Sequence, residues 1–181
     1  MFDVDTLVDD LRAAGREESP LLAVREVLDA AMARRTAVAE ALPAVRAELL
    51  PLYRSEELTV LKVVWAPGMW LQPHDHRMWA AIGVYTGRED NTYYRRAGGG
   101  RDRIEVSGGR ELGEGEVSLM GDDVIHAVQN PLSVCTGAIH VYGGDFFRRD
   151  RSDWDPETLE LETEPVDRSR YFEEWNERLG L

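Results

Sequence analysis

The order of apolar and polar residues divides this chain into a helical start, a strand-rich middle and a mixed end. From Asp3 to Gly15, Val4, Leu7, Val8 and Leu11 recur at helical spacing, and Gly15 marks a C-terminal stop. Ser19-Pro20 then supplies an N-cap and a first-turn proline for a second helix, whose apolar face (Leu21, Leu22, Val24, Val27, Leu28, Ala31) carries it to Arg35 or beyond. Pro43 interrupts the pattern, and Val45, Leu49 and Leu50 predict a further helical turn or two before Pro51. Residues 1–51 therefore read as a helical cap that packs against a sheet.

The period changes at Leu58. Leu58 to Trp65 is rich in β-branched and aromatic residues and stops at Ala66-Pro67-Gly68, which predicts a strand and a turn. Further short strands are predicted at Met78–Tyr85, Asn91–Arg95, Arg103–Val106, Glu116–Met120, His126–Gln129 and Val134–Tyr142. The breaks hold Gly87, Gly98-Gly99-Gly100, Gly108-Gly109, Gly113, Gly115, Gly121 and Asn130-Pro131. Short strands punctuated by glycine predict an antiparallel sandwich or barrel over residues 58–142. Neither a phosphate-binding glycine loop nor a βαβ alternation is present. Residues 143–181 include an acidic segment with Trp154, Pro156 and Pro165, expected to wrap the sheet without regular structure. Phe172, Trp175 and Leu179 then predict a helix over Ser169–Leu179.

Length and charge narrow the picture. A chain of 181 residues has room for one domain with a proper core. Acidic residues outnumber basic ones 34 to 21, and a formal charge of −13 repels phosphate backbones and anionic membranes, so nucleic acid and membrane surfaces are poor partners. The one cysteine, Cys135, has no partner for an intramolecular disulfide, and the start Met1-Phe2-Asp3-Val4-Asp5 lacks the features of a secretion signal. With no apolar run long enough to cross a bilayer, the expectation is a soluble, cytoplasmic protein. The oligomeric state is not legible.

Candidate chemistry gathers between positions 74 and 140, where all four histidines fall. His74 and His76, separated by one residue, share a face if they lie on a strand, so both can reach one metal ion. His126, about fifty residues on, would add a third imidazole and leave positions open for water, substrate or dioxygen. His140 and Tyr142 share one face of a late strand.

Two motifs in this middle stretch resemble those of the cupins, double-stranded β-helix (jelly-roll) barrels. Gly68, five residues, His74-Asp75-His76 and later Gly87 match the first. Gly115, five residues, Gly121, Asp123, His126 and Asn130 match the second, with Gly and Asp where the family usually has Pro and Gly. The resemblance spans about Leu58 to Tyr142 and implies a mainly β cupin fold with N-terminal helices and a short C-terminal helix. Cupins commonly place a glutamate ligand a few residues after the histidine pair, where this chain has Ala80 and Ala81. The three-histidine set that remains is similar to that of the thiol dioxygenases, of which cysteine dioxygenase is one. Those enzymes hold ferrous iron and add both atoms of O2 to a thiol. Their late Ser-x-His-x-Tyr strand corresponds to Ala138-Ile139-His140-Val141-Tyr142, with the serine replaced.

This likeness implies an Fe(2+) site of His74, His76 and His126, with Tyr142 and His140 as catalytic neighbours and a small thiol, cysteine or 3-mercaptopropionate, as substrate with O2. Neutral imidazoles leave the full charge on the ion, which favours an anionic thiolate. Tyr142 would then donate its phenolic proton to bound oxygen or to a substrate carboxylate, with His140 holding the hydroxyl in place. A carboxylate on that substrate needs a cation. Arg54 resembles in position the substrate-binding arginine of cysteine dioxygenases, Arg77 and Arg88 are rivals, and Gln72 is a polar contact expected on the His74 face. Met69, Trp70, Met78 and Trp79 bracket the ligand pair as pocket walls or core. No thiol stands near Ala80 to crosslink Tyr142, and Cys135 reads as a buried strand residue. The alternatives are a three-histidine dioxygenase acting on a non-thiol small molecule and a non-catalytic, metal-bound, ligand-binding cupin.

Overall fold

The structure is a computed structural model that describes residues 2–98, 102–148, 150–164 and 166–181. Gly99 and Gly100 of the expected glycine break, and Pro165 of the tail, lie outside the described residues. Three helices come first: α1 (Val4–Ala14), α2 (Pro20–Met32) and α3 (Arg35–Ala41). Asp3 caps α1 by accepting hydrogen bonds from the amides of Asp5 and Thr6. Pro20 opens α2, where a missing N–H costs nothing, although the Ser19 side chain makes no cap bond.

The helical turns expected over residues 45–50 are instead the start of a strand, β1 (Glu48–Arg54). Pro51 is tolerated there because β1 is the edge of its sheet and the register slips between Pro51 and Tyr53. The remaining strands are β2 (Thr59–Trp65), β3 (Trp70–Asp75), β4 (Ala80–Thr86), β5 (Arg88–Arg96), β6 (Ile104–Gly113), β7 (Val117–Met120), β8 (Ile125–Gln129) and β9 (Thr136–Tyr142). Gly108 and Gly109 do not break a strand. They sit inside β6, which pairs with β5 through an irregularity at Tyr93/Tyr94.

The strands form two antiparallel sheets, ordered β1-β2-β9-β4-β7 and β3-β8-β5-β6. Central strands β2 and β9 are buried along their whole length because both faces are covered. Leu61, Val63, Ala80, Ile82, Ala138 and Tyr142 point between the sheets. Val60, Ala81, Tyr85, Ile139 and Val141 point the other way, onto Leu11, Val24 and Leu28 of the helices. Two layers of core thus clamp the strand that carries His140 and Tyr142.

At the β4–β5 turn, Gly87 has φ +80°, and a Cβ there would lie 2.3 Å from Thr136 Oγ1. That hydroxyl accepts the Arg88 amide and donates to the Arg88 carbonyl, at 3.0 and 3.1 Å. The start of β5 is fixed as a result. Cys135, expected within a buried strand, lies just before β9 and is half-buried.

The C-terminal segment does more than wrap the sheet. Ser152 exchanges backbone and side-chain bonds with Asp75, and the Trp154 amide donates to the Pro73 carbonyl, so the segment runs beside β3. It ends in α4 (Arg168–Leu179), tied to the amide and carbonyl of Ala47 by the Asn176 side chain. Phe172 of this helix packs against Trp65 with ring centroids 5.3 Å apart and the planes tilted by 43°. No helix among the described residues is long and apolar enough to cross a membrane.

Candidate metal centre

His74 is the penultimate residue of β3, and His76 lies one residue past its end. The β3–β8 register shifts between Leu71 and His74, which sets His74 directly opposite His126. That bulge reverses the side-chain alternation, so Leu71, and not Gln72, shares the inner face with His74. The three imidazoles are buried and face one another: His76 Nε2 is 3.1 Å from His74 Nε2 and 3.5 Å from His126 Nε2. They form a metal-type cluster that includes no carboxylate among the described residues.

The far nitrogens explain why the near ones converge. His74 Nδ1–H donates to the Gln72 carbonyl at 2.9 Å, and His126 Nδ1–H donates to Asn91 Oδ1 at 2.8 Å. With those protons placed outward, two Nε2 lone pairs point inward, and a single proton on His76 can satisfy one of them. Protonating the group is no remedy. Burial, followed by mutual repulsion with the neighbouring histidines and Arg168, holds His74 well below the ordinary imidazole range. His76 is held well below that range as well, by burial, then His126 and Arg151. Burial, then His140 and Arg168, brings His126 down to about 3.

A cation resolves this arrangement. With metal–nitrogen bonds of about 2.1 Å, adjacent nitrogens stand about 3.0 Å apart in an octahedron and about 3.4 Å apart in a tetrahedron. The observed 3.1 and 3.5 Å fit that range. His74, His76 and His126 are the residues that could hold it, and the donor set suits a first-row transition metal.

Beside the cluster lie His140 and Tyr142, both facing inward from β9. The Tyr142 ring meets His76 edge-on at 5.0 Å, and its hydroxyl is 3.0 Å from His140 Nδ1. Burial raises the phenol's pKa far above its ordinary value, and the Glu89 charge adds to the rise while Arg151 and Arg168 oppose it. The other ring nitrogen, His140 Nε2, is 3.0 Å from Glu89 Oε1, which also accepts the indole N–H of Trp65 at 2.7 Å. Glu89 and Asn91 are two polar side chains on the inward face of β5, completely or almost completely buried, and neither was singled out from the sequence. The available signal was their shared parity in Glu89-Asp90-Asn91, directly after Gly87.

The cavity walls are apolar: Leu49, Val63, Leu71, Val128, Phe146 and Phe172 surround the imidazoles, with Trp65 and Arg168 completing the lining. Its free volume is about 20 Å³, room for about one water molecule. An outer vestibule of about 330 Å³ shares Phe146 and Arg168 with it and adds Arg151. A larger open cleft of about 900 Å³ between α1 and α2 holds none of the histidines.

The structure does not bring the expected substrate-binding residues here. Arg54 turns outward from the end of β1 and grips Asp145 with two bonds of 2.9 and 3.0 Å, which holds that carboxyl below its usual pKa. Arg77 sits in a left-handed turn, φ 52°, and donates to Ser152 Oγ at 2.7 Å. Arg88 pairs with Asp90 and Glu111. Met69 and Met78 are core residues, and neither they nor Trp70 and Trp79 line the cavity.

The cations near the site come from the tail. Arg168 is buried in an ion pair with Asp153. Arg151 stacks over Phe146, 4.1 Å from its ring centroid, and donates to that residue's carbonyl through Nη2, while Nη1 is buried without a partner among the described residues. Burial, then repulsion from Arg168, lowers the Arg151 pKa.

No family model matches the chain. Among solved structures, a Bacillus halodurans protein superposes with a TM-score of 0.50 at 16% identity, over 59% of this chain and 77% of that one. An RmlC-like cupin with a double-stranded β-helix fold from Methanocaldococcus jannaschii gives 0.48 at 15% identity, over 59% and 88%. The DMSP lyase DddQ of Ruegeria pomeroyi gives 0.47 at 18% identity, over 62% and 53%. At such identities the likeness is one of fold alone, and that fold is mainly β, two antiparallel sheets preceded by helices and followed by a short C-terminal helix.

Proposed function

We propose that the chain is an iron-dependent thiol dioxygenase, which adds both atoms of O2 to a small thiol such as cysteine or 3-mercaptopropionate and yields the sulfinate. One observation carries the reading: three buried imidazoles converge without a carboxylate among them, beside a tyrosine hydrogen-bonded to a histidine. His74, His76 and His126 would hold ferrous iron through uncharged donors, and the ion, keeping its full charge, would supply affinity for a thiolate and reactivity toward O2.

The protein's own residues supply the surroundings. Val63, Val128, Phe146 and Phe172 keep water away, which strengthens every charge interaction within. The space beside the imidazoles holds about one small ligand atom group, so the body of a substrate would extend into the adjoining vestibule. Tyr142 is placed to hydrogen-bond a ligand bound next to His76, and His140 holds its hydroxyl. A substrate carboxylate would lie toward the vestibule, where Arg151 offers the unpartnered Nη1 and Arg168 adds positive potential. These two take the role that the sequence suggested for Arg54 or Arg77.

The apolar walls favour a second reading, oxygenation of a small non-thiol such as an enolisable diketone. Oxygen uptake by iron-loaded protein, followed across cysteine, 3-mercaptopropionate, a diketone and a catechol, separates the two. Thiol-dependent uptake with sulfinate formation, abolished by His126→Ala, is the expected result. Uptake on ketones alone, stoichiometric ligand binding without turnover, or uptake indifferent to His126 would falsify the assignment.

A further inference from the structure

One buried ionisable group has no part in the chemistry described so far. Glu89 has no exposed surface, stands at the start of β5 and reaches across the sandwich to His140 of β9. Its Oε1 takes two bonds, from Trp65 Nε1 at 2.7 Å and at His140 Nε2 at 3.0 Å, whereas Oε2 is buried without a partner among the described residues. A carboxylate left half unsatisfied in a core is costly, so its retention points to a task.

The donor and acceptor inventory defines that task. Indole N–H can only donate, so Oε1 is an acceptor toward Trp65, and an ionised carboxylate can only accept from His140 as well. The imidazole proton then resides on Nε2. His140 Nδ1 is left with a lone pair, and the group 3.0 Å from it is the Tyr142 hydroxyl. A hydroxyl has one proton, and here it is drawn toward His140.

We propose that Glu89 is the positioning residue of this cavity: its carboxylate fixes the His140 proton on Nε2, so that Tyr142 gives its own proton to His140 and offers only acceptor electrons to a ligand beside the three histidines. The simpler expectation, that Tyr142 donates to a bound ligand, is the opposite outcome. It also narrows the ligand class. The group that meets Tyr142 carries a hydrogen-bond donor, as the ammonium of an amino thiol does, while a carboxylate lies on the Arg151 side. Asn91 performs the corresponding service for His126, so one face of β5 orients two imidazoles. The inference rests on the cavity being the ligand site, and its first test does not depend on the reaction proposed above.

Nitrogen-15 NMR of histidine-labelled protein, metal-free and zinc-loaded, reads the tautomer directly through two-bond correlations within each ring. The expected result is His140 protonated at Nε2 alone, with Glu89→Leu shifting it toward the Nδ1–H form and Glu89→Gln giving an intermediate state. A wild-type His140 protonated at Nδ1, or at both nitrogens near neutral pH, overturns the proposal whatever the variants do. The ligand class is tested by zinc-loaded protein with two probes. Cysteine should bind about tenfold more tightly than 3-mercaptopropionate, the worth of one charge-assisted hydrogen bond. Tyr142→Phe should remove most of that gap, and equal affinities, or a gap that survives the change, refute it. An Nε2–H tautomer in a protein that oxidises no thiol leaves Glu89 in place and removes the reaction. Thiol oxidation with the opposite tautomer does the reverse.

Discussion

Asn91→Ala tests the candidate metal centre without touching a ligand. Asn91 Oδ1 accepts the Nδ1 proton of His126 at 2.8 Å, both residues are buried, and the Asn91 Nδ2 group has no partner among the described residues that the change would forfeit. Removing the acceptor leaves His126 two options. It can keep the proton on Nδ1, unpaired and buried, at about 1–3 kcal/mol. Otherwise it moves the proton to Nε2 and loses the lone pair that faces the other histidines. Either way binding weakens, and the expected loss is about 10- to 100-fold in metal affinity, or about 1.4–2.7 kcal/mol. Cobalt(II) absorption in competition with a chelator measures this, with circular dichroism to verify the fold. Asn91→Asp supplies the contrast: a carboxylate accepts the same proton more strongly, so its affinity should equal or exceed that of the parent. A folded Asn91→Ala protein that binds cobalt within about twofold of the parent would show that His126 needs no outer anchor, and the geometric argument would fail.

Acid should destabilise the metal-free protein through the same histidines. His126 is brought down to about 3, and His74 and His76 well below their ordinary range, chiefly by burial, so all three stay neutral when folded but take up protons near pH 6.5 when unfolded. The unfolded state then binds more protons, and stability, full above about pH 7, falls as pH drops below about 6.5, by up to about 1.4 kcal/mol per pH unit for each group. Urea midpoints of chelator-treated protein between pH 7.5 and 5 check the sign, and a flat profile contradicts it. Arg151→Gln should raise KM for cysteine and 3-mercaptopropionate about 10- to 100-fold, the worth of a charge-assisted bond, and leave a thiol without a carboxylate, such as cysteamine, nearly unchanged. An equal rise for all three thiols would assign Arg151 to packing on Phe146.

What the sequence disclosed about the site followed from period and spacing. The one-residue gap between His74 and His76, and the late strand with His140 and Tyr142, each place two side chains on one face wherever the local backbone is extended. Residues whose role depends on a bulge or a turn were not legible. Gln72 has the parity of His74 on paper, but the irregular register between Leu71 and His74 turns it away, and only its carbonyl serves the site. Arg77 is diverted by a left-handed turn, and Arg54 by an aspartate from a loop 91 residues away. Local pattern contains none of these. Pro51 misled the reading of residues 45–50 for a related reason, since a proline that ends a helix is equally at home on an edge strand, and edge position is a property of the assembled sheet.

Glu89 and Asn91 show where sequence reading of such a fold can be extended. A strand within one sheet of a sandwich sets every second side chain between the layers, so a polar residue at that parity must find a partner there or cost several kcal/mol. Gly87 fixes the parity, because its left-handed turn and contact with Thr136 admit no side chain and hold β5 in one register. Counting from that glycine, residues 89 and 91 fall inward, and one partner of each is an imidazole. Polar residues at inward parity after an obligatory turn glycine are thus candidates for orienting site imidazoles, even when those imidazoles lie 35 and 51 residues further along the chain. The tail escapes this logic. Arg168 and Phe172 reach the cavity from α4, whose placement depends on Asn176 bonding to Ala47 across 129 residues, a closure that only the packed molecule reveals.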